Sequence, residues 1–131
     1  MYILVTNNPL VKAKYENRTK ELKVEFVEAP DCMKVLETTR NHMHLGMSLQ
    51  THPMAGSVKP NQNPYKSILI SDEKDEPEDA NLKLMVMENA ITNCREFLQK
   101  RPLPDWEEKY LEDFRFVDNS LIESALSEIL H

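Results

Sequence analysis

The chain has 131 residues, of which 40% are hydrophobic and 29% are charged, and its formal net charge is −6. This composition is typical of one globular domain that builds a core without disulfides or metal, and it contains no run approaching the ~20 apolar residues of a membrane span. The negative charge argues against a protein that binds duplex nucleic acid, because such binding requires a basic face.

The chain opens with a strand followed by a helix. Residues 2–5 form a short run of β-favouring side chains. Asn8 can accept a hydrogen bond as an N-cap, and Pro9 then occupies the first helical position, where its missing N–H costs nothing. We therefore predict a helix over residues 9–17.

A second strand and helix follow, and then a third strand. The second strand lies within residues 23–28. Asp31 can cap a helix that runs to about residue 45, and Gly46 stands where a glycine commonly terminates a helix. We predict a short third strand over residues 47–50.

The carboxy-terminal half combines one strand with several helices. Residues 66–70 are the clearest strand in the chain. The acidic run over residues 71–80 predicts a solvated, flexible connection. Apolar residues at helical spacing predict a long helix over residues 81–100 and two later helical regions, one beginning at Asp105 and one over residues 121–129.

This order of elements predicts a single α/β domain over residues 1–131. Strands that alternate with helices favour a small, mostly parallel sheet of about four strands, with helices on both faces and the C-terminal helices packing on the sheet. The last strand follows a loop with no helical crossover. An antiparallel arrangement is therefore favoured for that strand, although a parallel one stays open.

A polar loop over residues 51–66, punctuated by prolines, is the most function-like segment of the chain. Long loops without regular structure are uncommon unless they are functional or disordered. In open α/β sheets, ligands bind beyond the carboxyl ends of the strands. Two polar pairs follow the first and the third predicted strand at that edge: Asn7 with Asn8, and Thr51 with His52.

These polar groups predict a binding site for a small carboxylate or phosphate. The first helix also aims its positive N-terminus at the same edge of the sheet. The alternative is a structural role, because asparagines beside prolines often bond local backbone in turns. The candidate ligand-binding residues are Asn7, Asn8, Thr51, His52, Ser57, Lys59, Asn61, Tyr65 and Lys66.

His52 is the only candidate catalytic residue in this set. Its imidazole can act as a general acid or base, or it can instead cap the end of a strand. His42 and His44 lie two positions apart on a predicted helix and so point to different faces. With no thiolate pair and no HExxH motif, the sequence indicates no metal site.

Glycines and cysteines limit the function further. Gly46 and Gly56 are the only two glycines, too few for a dinucleotide fingerprint or a P-loop, and we expect no cofactor. Cys32 and Cys94 belong to no CxxC pair, so we expect buried thiols in a reducing compartment. The first residues lack the features of a secretory signal, and we expect a cytoplasmic protein.

Two stretches of the chain resemble the GrdX protein family. The first is Thr6-Asn7-Asn8-Pro9-Leu10-Val11, and the second runs from Thr51 to Ser67 with the sequence THPMAGSVKPNQNPYKS. Chain length and motif order agree with the family as well. Beyond about residue 72, the resemblance depends on length and helical character alone.

The resemblance implies a gene neighbourhood more than an activity. Members of the family are encoded beside the components of glycine, sarcosine or betaine reductase in amino-acid-fermenting anaerobes. That system cleaves glycine reductively to acetyl phosphate and ammonia. The family itself has no assigned reaction, so no catalytic role can be transferred to residues of this chain.

Three functions are consistent with these observations. The first is an accessory protein that binds a small anionic metabolite or a reductase component at the polar loop. The second is an enzyme in which His52 is the acid–base and Lys59 or Lys66 fixes the anion. The third is a structural homo-oligomer whose contact surface is formed by C-terminal aromatic residues: Trp106, Tyr110, Phe114 and Phe116. Aromatic residues at helical spacing more often belong to the hydrophobic core.

Overall fold

The computed structural model describes residues 1–54 and 59–129. The strands are β1 (Tyr2–Thr6), β2 (Leu22–Phe26), β3 (Ser48–Leu49) and β4 (Ser67–Ser71). The helices are α1 (Pro9–Tyr15), α2 (Met33–His44), α3 (Pro77–Lys100) and α4 (Glu108–Ser127). Four strands and four helices in these described ranges confirm the α/β class.

The sheet is mixed, with the strand order β2-β1-β4-β3. The pairing of β1 with β2 is the only parallel pairing between neighbouring strands of the described residues, while β4 pairs antiparallel with both β1 and β3. The expectation of a mostly parallel sheet is therefore wrong, and the favoured antiparallel direction of the last strand is confirmed. The physical reason is that a parallel neighbour needs a long crossover, whereas β4 enters between β1 and β3 from the opposite direction.

Helices cover both faces of the sheet, as predicted. On one face, Val5, Ile68 and Ile70 pack with residues of α2 and α3 such as Leu36 and Met87. We call this the α2–α3 face. On the opposite face, residues of β1 and β4 pack with residues of α1 and α4, which forms the α1–α4 face: Leu4, Leu69, Val11, Tyr15, Ile122 and Leu126.

The residues predicted at the helix ends make local contacts there, although Cys32 rather than Asp31 is the N-cap of α2. Asn8 Oδ1 accepts from the N–H of Leu10 at 3.0 Å at the start of α1. Asp31 Oδ1 accepts from the N–H of Met33 at 2.8 Å at the start of α2. After α2, Gly46 has a φ of +104°, the left-handed conformation that glycine adopts without strain.

Several predicted boundaries differ from the structure. Helix α1 ends at Tyr15, before Asn17. The acidic connection is shorter than expected, because α3 begins at Pro77 and acidic residues in its first turn favour a helix start. The two predicted C-terminal helical regions are one helix, α4, because no proline or glycine interrupts residues 108–127.

Candidate functional site

The sheet brings two predicted polar segments and the start of β4 to one edge. Strands β1 and β3 both run antiparallel to β4, so they run in the same direction and end at the same edge. Strand β4 begins there, with Ser67 in register with Thr6. We call this edge the rim.

A chain of buried hydrogen bonds crosses the rim. Ser67 Oγ donates to Asp118 Oδ2 at 2.7 Å, and Thr6 Oγ1 lies 2.7 Å from Ser67 Oγ. Because the Ser67 proton points to the carboxylate, the Thr6 hydroxyl donates to Ser67. The backbone N–H of Asn8 donates in turn to Thr6 Oγ1 at 3.0 Å. All donors therefore point towards the carboxyl group of Asp118, and such chains strengthen each member.

Asp118 is a buried carboxyl group with an altered acidity. Asp118 is 5% exposed. Burial raises the pKa of Asp118 above the ordinary value, because a buried carboxylate loses the hydration that stabilises its charge. Hydrogen bonds from Asn8 and Ser67 and the charge of Lys66 partly oppose that rise. Asn8 Nδ2 donates to Asp118 Oδ2 at 3.0 Å.

A cavity of about 360 Å³ opens beside this network. Polar groups from the loop ends meet α4 there, next to an apolar wall from the same helix. The size suits a small ligand with a few oriented polar groups. The lining includes Thr51, His52, Lys66, Ser67, Asp118, Leu121, Ile122, Ala125 and Glu128. We call this space the rim cavity.

Thr51 and His52 are held by hydrogen bonds to backbone. Thr51 Oγ1 accepts from the N–H of Leu69 at 3.1 Å. His52 Nδ1 accepts from the N–H of Met54 at 3.0 Å, so the neutral ring carries its proton on Nε2. The exposed imidazole of His52, a residue that lines the rim cavity, therefore has Nε2–H as its hydrogen-bond donor.

Lys66 supplies the positive charge of the rim cavity. Its backbone N–H donates to Asn7 Oδ1 at 2.8 Å, which fixes the residue at the entrance to β4. Its side chain is half-buried, and no described carboxylate forms an ion pair with it. The ammonium charge is thus not neutralised by an ion pair within residues 1–54 and 59–129.

Asn7 and Asn8 lie beneath the rim, with their side chains in contact with protein groups. Asn7 is 3% exposed, and its Nδ2 donates to the carbonyls of Ala29, Asp31 and Pro64 at 3.3, 3.1 and 2.8 Å. Asn8 is fully buried and caps α1. Their contacts hold the loops together at the rim, while direct ligand binding by these side chains stays a prediction.

Three other predicted ligand residues of the polar loop, Lys59, Asn61 and Tyr65, lie elsewhere. Lys59 and Asn61 line a different cavity of about 490 Å³ near the end of α3, where Asn61 Nδ2 donates to the carbonyl of Phe97 at 3.4 Å. Tyr65 Oη accepts from Arg115 Nη1 at 3.0 Å. Of the predicted ligand residues, the rim cavity therefore collects Thr51, His52 and Lys66. Ser57 lies outside the described residues.

Ser67 and Asp118 were missed by the sequence reasoning. The sequence does contain an indication that Asp118 is unusual. It lies four residues after Phe114 and four before Ile122, so it shares the face of α4 that packs on the sheet. A carboxylate within an apolar stripe is unusual unless it is paired or functional. Ser67 had only its position at the start of the clearest strand.

The arrangement differs from that of a nucleophilic triad. Ser67 donates directly to Asp118, with no imidazole between the hydroxyl and the carboxylate.

Within the described ranges, no group of three or more His, Cys, Asp or Glu side chains could hold a metal ion. Among the same residues, no helix is long and apolar enough to cross a membrane.

The fold and the rim define a small α/β protein with a mixed four-stranded sheet in its described part and a polar cavity at one sheet edge. The model of the GrdX-like protein family matches residues 3–127. The chain therefore belongs to the GrdX-like protein family, which confirms the resemblance seen in the two sequence stretches. Comparison with curated proteins and with solved structures gives no significant match.

Proposed function

We propose that this protein binds a small anionic metabolite in the rim cavity and serves as a cytoplasmic accessory protein of the glycine reductase system. The observation that carries the proposal is that Lys66, His52 and Thr51 all line one cavity of about 360 Å³. Their side chains carry an ammonium, a ring N–H and a hydroxyl. They suit a carboxylate or phosphate.

Negatively charged side chains in the same cavity restrict the class of ligand that fits it. Asp118 and Glu128 line the rim cavity together with Lys66. A ligand with both a carboxylate and an ammonium group satisfies both signs of charge, with its carboxylate at Lys66 and its ammonium towards Asp118. The apolar wall from α4 suits short aliphatic groups. We therefore favour a metabolite whose anionic group is the carboxylate of a small amino acid or a related zwitterion.

Family membership supports an accessory role. The GrdX resemblance implies that such proteins are encoded beside glycine, sarcosine or betaine reductase components. A component of that reductase is the second partner that the rim could recognise. The direct bond from Ser67 to Asp118 favours binding over nucleophilic catalysis, because the hydroxyl has no general base other than this buried carboxyl.

One observation favours an enzyme as the alternative. His52 and Lys66 line the same cavity, so an acid–base imidazole and an anion-fixing ammonium are adjacent, whereas Lys59 is not part of that cavity. Turnover of a glycine-pathway carboxylate or phosphate, lost in His52→Ala, is the result that supports this alternative.

A homo-oligomer is the third candidate. Phe116, Val117 and Leu121 on α4 are 65%, 37% and 41% exposed, which leaves apolar surface on that helix. Trp106 and Phe114 pack against one another instead, with ring centroids 5.2 Å apart. Light scattering at high concentration checks this candidate, and a mass equal to one chain ends it.

A thermal-shift screen tests the proposal. Glycine, betaine, acetate and acetyl phosphate are compared, because glycine offers N–H groups to Asp118 while betaine and acetate do not. Glycine is expected to raise the melting temperature most, and Lys66→Met is expected to remove the shift. Lys59→Met is the matched control, since Lys59 lies at the other cavity.

A pull-down against the reductase components runs beside the screen. Retention of a component by the wild type and its loss in Lys66→Met support recognition at the rim. The absence of both a thermal shift and a retained component contradicts the proposed function.

A further inference from the structure

The two cysteines lie side by side within the α2–α3 face. Sγ of Cys32 is 2.6 Å from Sγ of Cys94, although the residues are 62 positions apart in the sequence. Cys32 immediately precedes α2, and Cys94 lies within α3. Both are free thiols, 1% and 0% exposed. The predicted burial of both thiols is confirmed, but their contact could not be read from the sequence.

The two thiols differ in acidity. The hydrogen bond from Cys94 lowers the pKa of Cys32, and the nearby charge of Lys66 lowers it further against the opposing effect of burial. The same hydrogen bond, together with burial and the charge of Cys32, raises the pKa of Cys94. Cys32 also stands at the start of a helix, where a thiolate is favoured. The thiolate of the pair is therefore Cys32.

We propose that Cys32 and Cys94 are a site of reversible oxidation, at which they form an intramolecular disulfide that joins the start of α2 to α3. Cys32 is the attacking sulfur and Cys94 is the resolving sulfur. The proximity of two thiols from distant segments of the chain carries this proposal, since any disulfide requires its sulfurs to be brought together first. It does not depend on the ligand proposed for the rim cavity.

A cavity of about 580 Å³ is lined by residues that lie near each cysteine in the sequence. Asp31 lines it and precedes Cys32 in the chain, while Leu98 lines it and lies about one helical turn beyond Cys94. The buried position excludes direct attack by a bulky disulfide on another protein.

Hydrogen peroxide is an oxidant of suitable size, and the reaction with it balances. The Cys32 thiolate attacks one peroxide oxygen, the O–O bond breaks, and the released hydroxide takes a proton to become water. Cys32 is then a sulfenic acid. The sulfur of Cys94 attacks the sulfur of Cys32, the S–O bond breaks, and the oxygen leaves as a second water. The two thiols lose two electrons and two protons, and a dithiol reductant reverses the change.

Mass spectrometry of the full chain tests the proposal. The folded protein is treated with hydrogen peroxide and then unfolded in denaturant. A maleimide present in the denaturant labels the free thiols, and the protein is digested. We expect both labels to disappear together and a cross-linked peptide pair to contain Cys32 and Cys94. The melting temperature is expected to rise by on the order of 10 °C, because the bond closes a long loop. Dithiothreitol should restore both labels and the original melting temperature.

Other outcomes overturn the proposal. These are a bond between two chains whose yield increases with protein concentration, over-oxidation of either thiol without a cross-link, or retention of both labels in the folded protein. None of these readouts involves a rim ligand, so failure here leaves the proposed function separately testable.

Two serine variants test the assigned roles. Cys94→Ser removes the resolving sulfur, so Cys32 is expected to remain as a sulfenic acid that a dimedone reagent labels. In Cys32→Ser, oxidation of Cys94 is expected to be about tenfold slower or more, because the low-pKa thiol is gone. Equal rates in the two variants contradict the assignment of attacking and resolving sulfurs.

Discussion

The two faces of the sheet are built from different kinds of side chains. The α2–α3 face is an apolar cluster that includes two thiols, and its buried Thr39 bonds the backbone of its own helix. The α1–α4 face is apolar away from the rim. At the rim, its apolar contacts are replaced by the hydrogen-bond network that ends on Asp118. Burying polar groups costs stability unless each is paired, so such networks are common where a site is needed. The α2–α3 face therefore contributes mainly to stability, while the α1–α4 face borders the cavity of the proposed site.

The largest expected effect comes from the apolar face. Ile68→Ala removes a fully buried side chain of β4 and leaves a cavity, and we expect it to lower the free energy of unfolding by about 3 kcal/mol. Urea denaturation measures the loss. Leu82→Ala is the control, because Leu82 is 60% exposed and its truncation should have little effect. A loss below about 1 kcal/mol for Ile68→Ala contradicts the account of this face.

A smaller effect is expected from the polar network. Asn8→Ala removes the N-cap of α1 and one of the two hydrogen-bond donors to Asp118. We expect the free energy of unfolding to fall by about 2 kcal/mol. Asn41→Ala on the exposed surface of α2 is the matched control. Equal stability of the two variants contradicts a supporting role for Asn8.

The smallest expected effect is a pH dependence at Asp118. Burial raises the pKa of Asp118 in the folded state above its ordinary value of 3.8, so the folded state holds this proton more tightly than the unfolded state. The stabilising contribution is full below pH 3.8 and is lost as the pH rises through the folded pKa. Relative to Asp118→Asn, the wild type should therefore lose stability as the pH rises from 3.8.

Chemical denaturation of both proteins across this pH range measures that difference. The other carboxyl groups are common to both proteins, so their contributions cancel in the comparison to a first approximation. A difference that is constant with pH, or that increases in favour of the wild type, contradicts the raised pKa.

Local features of the fold could be predicted because the responsible residues are adjacent in the sequence. Asn8 with Pro9, Asp31 and Gly46 each define a helix end through contacts within a few residues. The order of strands in the mixed sheet could not be predicted from the sequence in the same way. The position of β4 between β1 and β3 depends on pairing between distant segments, and the sequence indicated only its direction.

The candidate site could be predicted in part for the same reason. Thr51, His52 and Lys66 flank predicted strands, and strand direction alone brings them to one edge. Asp118 reaches that edge from a helix 51 residues after Ser67, and no local pattern gives such a contact. The side chains of Asn7 and Asn8 bond other segments of the chain, contacts that no local pattern indicates, and their binding of a ligand stays a prediction.

Calorimetric titration with glycine tests the central claim most directly, with the wild type, Lys66→Met and Lys59→Met compared at one ionic strength. Loss of a charge-assisted hydrogen bond is expected to weaken binding by about tenfold to a hundredfold in Lys66→Met. Lys59→Met should bind within about twofold of the wild type, since it lies at another cavity. Equal affinities of the two variants would show that the rim cavity is not the binding site.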